Sequence, residues 1–311
     1  MDRLVSVKEN GETVREYTYD SFGNRIRLKE KDKVTDYQYN ENDQLIFYTV
    51  KGKEKEIRAS FEYDKRGNLI SRTLNGKKYH YQYDAAGKMT GAVSPDGEKC
   101  DYLYNGLGYL VSQNVHGEKI KYTCDLTKDS KNILTRSTDD SHQDFIWDRS
   151  LAASVDKDLK ENQDGSRYYL TDEIASVLDL ADSQGNITES AGYDEYGRLL
   201  PGMKRCSSPF GYAGYLSDPV SGLENANYRY YDSDTGRFCG RDYYKGFADT
   251  PLSLNEYLFC RDNPWITGRR WRMPGNWNHS AAVFSDRQIP KMTFLKTSHL
   301  CGREKPAGNM S

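Results

Sequence analysis

One string recurs through the first half of this chain: aromatic, any residue, aromatic, Asp or Asn, two residues, Gly. It reads Tyr17-Thr18-Tyr19-Asp20-Ser21-Phe22-Gly23-Asn24, then Tyr37-Gln38-Tyr39-Asn40, then Phe61-Glu62-Tyr63-Asp64-Lys65-Arg66-Gly67-Asn68. Tyr81-Gln82-Tyr83-Asp84-Ala85-Ala86-Gly87-Lys88 and Tyr102-Leu103-Tyr104-Asn105-Gly106-Leu107-Gly108-Tyr109 follow, with degenerate copies at Tyr122–Asp125 and Phe145–Asp148. A late copy is Tyr193–Arg198, and the first seven units start 20 to 24 residues apart. A fixed period of this length marks a repeat architecture, in which each unit needs its neighbours to bury its apolar face.

Each unit reads as a hairpin. Aromatics two positions apart share one face of a strand. The Asp can accept backbone N–H bonds in the turn that follows, and the Gly can take the left-handed conformation of a bulged hairpin. Alternation resumes in Arg25-Ile26-Arg27-Leu28, and a further turn, clearest at Asn75-Gly76 and Asp96-Gly97, leads to the next aromatic strand. The sequence therefore predicts an all-β fold of repeated antiparallel hairpins paired edge to edge into a twisted ribbon. With 25 Tyr against 10 Phe and 4 Trp, the aromatic content is dominated by a ring that buries its face while its oxygen reaches a partner. The tyrosine rows also admit a reading as a carbohydrate-stacking surface; their presence in every unit favours a structural role.

Formal net charge is −2, so no global field points to nucleic acid or acidic membrane, and no nucleic-acid partner is expected. No apolar run approaches the ~18 residues of a bilayer-spanning helix, and Met1–Val5 lacks the apolar stretch of a secretory signal. The six cysteines lack C-x-x-C spacing and read as free thiols at ordinary sheet positions, a disulfide set being the alternative. No Gly-x-Ser-x-Gly, Gly-rich phosphate loop or His-Glu-x-x-His occurs, and neither cofactor nor metal is expected.

The unit at this spacing resembles the YD repeat of bacterial Rhs and wall-associated proteins, of toxin-complex shell subunits and of animal teneurins, over roughly residues 1–268. The resemblance sharpens in Tyr168-Tyr169-Leu170-Thr171-Asp172-Glu173-Ile174-Ala175-Ser176-Val177, which resembles the opening of the Rhs repeat-associated core. The strings Phe210–Tyr215, Asp218-Pro219-Val220-Ser221-Gly222-Leu223, Asn227–Asp232, Thr235–Phe238, Asn255-Glu256-Tyr257 and Asn263-Pro264 follow in the family's order. The division this implies is a YD-repeat ribbon over 1–150, a connecting segment over 151–167, an Rhs core over 168–268 and a divergent basic tail over 269–311.

The resemblance implies a hollow shell around a C-terminal toxin, released by an aspartic-type self-protease in the core. The residues it implicates are Arg229 and Asp242, with Asp232 as a weaker second carboxylate. A carboxylate can activate water as general base, and a guanidinium can bind the developing oxyanion. Three departures mark this chain. Tyr243 rather than Pro follows Asp242, the spacing to Asn255 is long, and Asn263-Pro264 runs into Trp265-Ile266-Thr267 with no Asp-Pro-x-Gly string to cut. Self-cleavage is therefore expected to be lost.

After Pro264 the composition changes: Trp265, Trp271 and Trp277 fall within 13 residues, and from Arg269 eight Lys/Arg face two acidic residues. The readings are a toxin remnant or frame-shifted tail, expected to be disordered, or a basic nucleic-acid-binding segment; His279, His299 and Cys301 match no zinc spacing. The expected function is a C-terminal shell fragment of a toxin-delivery protein, secreted or at the cell surface as part of a larger parent. Its partners would be the rest of that parent or an enclosed toxin. The alternative is an adhesin that binds a surface glycan or protein.

Overall fold

The computed structural model describes residues 3–53, 56–127, 132–157, 165–247 and 251–264. The predicted tail, with Trp265, Trp271, Trp277, His279, His299 and Cys301, lies outside the described residues.

Eighteen strands, from Ser6–Glu9 to Ile187–Ser190, pair antiparallel, each with the next in the chain. Among the described residues the helical content is three 3₁₀ turns of three residues each, Tyr212–Gly214, Pro251–Ser253 and Cys260–Asp262. The all-β ribbon read from the repeat is the observed fold. Segment 151–167, expected to be a connection, instead contributes the strand Leu151–Asp156. Its Leu151 is 1 % exposed and its Ser154 fully buried, so the ribbon runs on unbroken past the expected boundary. The family motif had drawn that boundary at 168, inside the strand Ser166–Thr171.

The turns work as the residues dictate. Asp20 Oδ1 accepts the N–H of Phe22 at 2.9 Å and of Asn24 at 2.8 Å. The same pair of bonds recurs at Asp64, Asp84, Asp172, Asp182 and Asp194. Gly23 and Gly67 close their turns at φ +84° and +88°, a region that costs a side chain energy. Where the Gly is missing, Asp43 (φ 57°) and Ala175 (φ 68°) are forced into it. Register shifts by one residue just before the second aromatic of each unit, between Thr18 and Tyr19, Gln38 and Tyr39, Glu62 and Tyr63, and Gln82 and Tyr83. That bulge bends the strand and re-aims the second ring.

The first aromatics, Tyr17, Tyr37, Phe61, Tyr81, Tyr102, Tyr122, Phe145 and Tyr169, are all buried. Several of the second ones place their polar atoms on backbone, as in Tyr39 Oη to Arg25 O at 2.9 Å, Tyr104 Oη to Met89 O at 2.8 Å and Trp147 Nε1 to Ile133 O at 2.7 Å. The aromatic rows are thus the core wall. That removes the carbohydrate-stacking surface, because their faces are covered.

What covers them is the chain's own residues 191–247 and 251–264. A small sheet of Leu216–Ser217, Glu224–Asn225, Tyr230–Asp232 and Arg237–Phe238 is its frame. Tyr17 meets Tyr196, Tyr63 meets Tyr257, Tyr102 meets Tyr230 and Phe145 meets Phe210, with ring centroids 5.0–5.9 Å apart. Strands so far apart in the ribbon reach one small core only if the sheet curls around it. At the centre lies Tyr231, fully buried, its ring 4.4 Å from Phe259 and its hydroxyl donating to Tyr196 O at 2.7 Å.

Candidate functional site

Arg229 precedes the strand Tyr230–Asp232. Its guanidinium carbon stands 3.6 Å from the Phe238 ring centroid. Nη2 donates to Asp242 Oδ2 at 2.8 Å and Nη1 to the Glu256 carbonyl at 3.0 Å. Burial pulls the Arg229 pKa below its ordinary value, and the neighbouring Asp242 opposes that shift. Asp242 is held from its own loop: its N–H donates to Glu256 O at 3.0 Å and its Oδ1 accepts the Tyr244 N–H at 3.0 Å. The structure therefore brings Arg229 and Asp242 together. Both oxygens of that carboxylate already hold donors, and Arg229 spends its fork on Asp242 and Glu256.

Asp232 goes elsewhere. Side chains alternate along the strand, so Arg229 and Tyr231 share one face while Tyr230 and Asp232 share the other. Asp232, 3 % exposed, faces the ribbon, where Arg72 Nη1 lies 3.3 Å from its Oδ2. Desolvation pushes its pKa up, and Arg72 counters part of that push. Asp232 Oδ1 also accepts the Asp234 N–H at 3.0 Å, which holds the turn before Arg237–Phe238. It has a latch's environment, on the face of the strand opposite Arg229. Arg72 could not be found from the repeat, since nothing in its own unit sets it apart.

Arg229 and Asp242 line a cleft of about 230 Å³ between two ribbon turns, 64–68 and 84–88, and the core loops 227–230 and 239–245. Lys88 is the least exposed of its cations. It occupies the position where Asn24 and Asn68 return their amides to the turn carboxylate at 2.9 Å. Lys88 reaches away from Asp84 instead, its ammonium 4.5 Å from the Tyr228 ring centroid. Only 8 % of it is exposed, and burial pushes its pKa down to about 8, with Asp84 opposing. The signal that could have found this residue is its place where the units at Asp20 and Asp64 carry Asn. Glu256, which salt-bridges Arg241 at 3.2 Å and Lys245 at 2.5 Å behind the cleft, carries no such signal.

Among the described residues no group of three or more metal-type side chains gathers, and no helix is long and apolar enough to cross a membrane. Cys100, Cys124, Cys206, Cys239 and Cys260 are free thiols.

The chain is 28 % identical over 284 residues to the "tRNA3(Ser)-specific nuclease WapA" of Bacillus spizizenii, covering 85 % of this chain and 11 % of that protein. It is 29 % identical over 283 residues to the "tRNA nuclease WapA" of Bacillus subtilis, with the same coverage of each. To human Teneurin-4 it is 26 % identical over 194 residues, 59 % of this chain and 7 % of that one. The chain thus spans about a tenth of the length of its curated WapA relatives. Among solved structures, the TcdB2-TccC3-Cdc42 crystal structure aligns with a TM-score of 0.48 at 16 % identity, over 83 % of this chain and 17 % of that chain. The family model described as the teneurin YD-shell matches residues 1–265, and with its hairpin period, buried tyrosine rows and curled ribbon this chain belongs to that family.

Proposed function

We propose that this chain is the C-terminal shell segment of a larger, secreted or surface-exposed Rhs-type toxin-delivery protein, a casing that encloses or presents a C-terminal toxin, and that it no longer cuts itself. The observation that carries the reading is the curled eighteen-strand ribbon with its aromatic face turned inward onto the core. Such a wall buries the first aromatic of each unit and leaves no row of exposed ring faces for an adhesin to offer. Kinship with WapA proteins, whose names specify tRNA nucleases, supports delivery of a toxin. The partners on this reading are the remainder of the parent chain and its cargo.

Loss of cutting is supported by the site itself. Attack on a peptide needs the reacting atoms about 3–3.5 Å apart, and a misplacement of about 1 Å can cost a hundredfold. Asp242 has both oxygens engaged, Asp232 faces the ribbon with Arg72, and the sequence beyond Pro264 offers no Asp-Pro-x-Gly string. Intact mass spectrometry of the purified chain should give 35.7 kDa after prolonged incubation. A dominant product ending between residues 265 and 280, abolished by Asp242→Asn, would overturn this reading.

A further inference from the structure

We propose that the cleft beneath Tyr228 is a binding site for a small organic carboxylate, with Lys88 as the counter-ion that receives it. Five cationic side chains line the cleft, Arg66, Lys88, Arg229, Arg241 and Lys245, against a single lining carboxylate, Asp242. Asp242 is taken by Arg229, and Glu256 behind the wall takes Arg241 and Lys245. Arg66 donates to the Ala85 carbonyl at 2.6 Å, and neither it nor Lys88 forms an ion pair among the described residues. The cleft therefore carries an excess of positive charge, which the field of Asp84 on Lys88 offsets only in part.

Lys88 bears the larger cost. A buried ammonium without an anion is unfavourable, and here its polar contact is a marginal 3.4 Å approach to the Tyr228 carbonyl, with the Tyr228 and Tyr104 ring faces 4.5 and 5.7 Å away. Cation–π contacts return part of that cost, not a counter-ion's worth. A second polar group waits on the same wall: the Tyr83 hydroxyl is buried with no hydrogen-bond partner. Buried polar atoms are nearly always satisfied, and an acceptor oxygen entering the cleft would supply Lys88 with the anion it lacks. Beside the polar Asn68 and Asn227, the lining offers aromatic and aliphatic surface from Tyr104, Tyr230, Met89 and Ala86. That favours a carboxylate carried on an organic group over a bare ion. At the rim, the Tyr243 hydroxyl donates to the Ala86 carbonyl and bridges the ribbon to the core loop.

The site differs from the Arg229–Asp242 pair in what it needs, since binding requires no bond to be cut. It also sets a sign. Binding selects the protonated Lys88, so affinity should be constant below the depressed pKa and fall as pH rises past about 8.

The test is isothermal titration of the full chain with butyrate, with butyramide as its uncharged isostere and inorganic phosphate as the bare anion. Saturable butyrate binding at pH 7, undetectable for butyramide and at least about tenfold weaker for phosphate, is expected. Lys88→Met should abolish it and Lys88→Arg should retain it, both variants having an unchanged circular dichroism spectrum. For the unmodified protein, butyrate affinity should drop roughly tenfold or more between pH 7 and pH 9.5. Equal binding of butyrate and butyramide, full binding by Lys88→Met, or an affinity flat across that pH range would each overturn the site. Phosphate binding as tight as butyrate would overturn its organic specificity.

Discussion

The Arg72–Asp232 contact should be one of the larger single polar contributions to holding the core against the ribbon, and its size can be worked from its surroundings. Both side chains are nearly sealed, 7 % and 4 % exposed, with nitrogen and oxygen 3.3 Å apart. Arg72 also lays its guanidinium 4.6 Å from the Tyr79 ring centroid. Removing one partner of a buried pair leaves the other charge without compensation, which costs about 3–5 kcal/mol. Arg72→Met keeps the volume and drops the charge, so about 3 kcal/mol of destabilisation is expected. Asp232→Asn should cost less, since Asp234 Oδ2 stands 3.9 Å from the same Arg72 nitrogen and the acceptor for Asp234 N–H is kept. The double variant should be less destabilised than the sum by roughly 1–3 kcal/mol, the coupling typical of residues in contact. Arg72→Met should also lose stability as pH rises, because a carboxyl with a raised folded-state pKa is stabilised when protonated, and removing Arg72 raises that pKa further. Urea unfolding followed by circular dichroism at pH 5 and pH 8 reads all of these. An Arg72→Met cost below about 1 kcal/mol, or an additive cycle, would show that the pair is not the latch described here.

Three further outcomes rest on other parts of the structure. Asp262 is buried, its Oδ2 has no hydrogen-bond partner, and desolvation pushes its pKa to about 7 despite Arg237, Arg25 and Arg3. Its folded-state pKa lies above the unfolded one, so it should lower stability progressively between pH 4 and pH 7, by up to roughly 4 kcal/mol, and Asp262→Asn should flatten that part of the urea-midpoint profile relative to the unmodified protein. Ala175 sits at φ 68° where other turns have Gly, so Ala175→Gly should raise stability by about 1 kcal/mol in the same assay; an unchanged or lowered midpoint would refute the strain. The strands Ser6–Glu9 and Ile187–Ser190 each pair on one side only among the described residues. Light scattering should therefore show concentration-dependent association of the isolated chain, and a strict monomer at high concentration would count against open edges.

The ribbon was legible because everything that makes it is local. Asp20 with Gly23, the aromatic pair Tyr17 and Tyr19, and the Asn75-Gly76 turn all act within a few residues, so the period alone announces them. The pairing of Arg229 with Asp242 was legible only through family resemblance, being side-chain chemistry between two loops. The companion role given to Asp232 depended on a partner, Arg72, that no local pattern singles out. That difference has a physical consequence for how such a shell finds one structure. A ribbon of near-identical hairpins offers its core several almost equivalent seats, displaced by one repeat, each burying tyrosines about equally well. Hydrophobic contact is non-directional and discriminates poorly among them. The residues that break the degeneracy are polar and singular: Arg15 with Glu195 at 2.8 Å, Arg72 with Asp232, Gln113 with Asp218 at 2.8 Å, and Arg198 with Glu30 at 2.5 Å. A slip by one hairpin would strand several of these groups at once, each unsatisfied partner costing about 1–3 kcal/mol or more when charged. The repeat therefore supplies the wall and its departures from repetition fix where the core sits; Lys88, which departs without an ion-pair partner, is the exception that directs attention to the cleft.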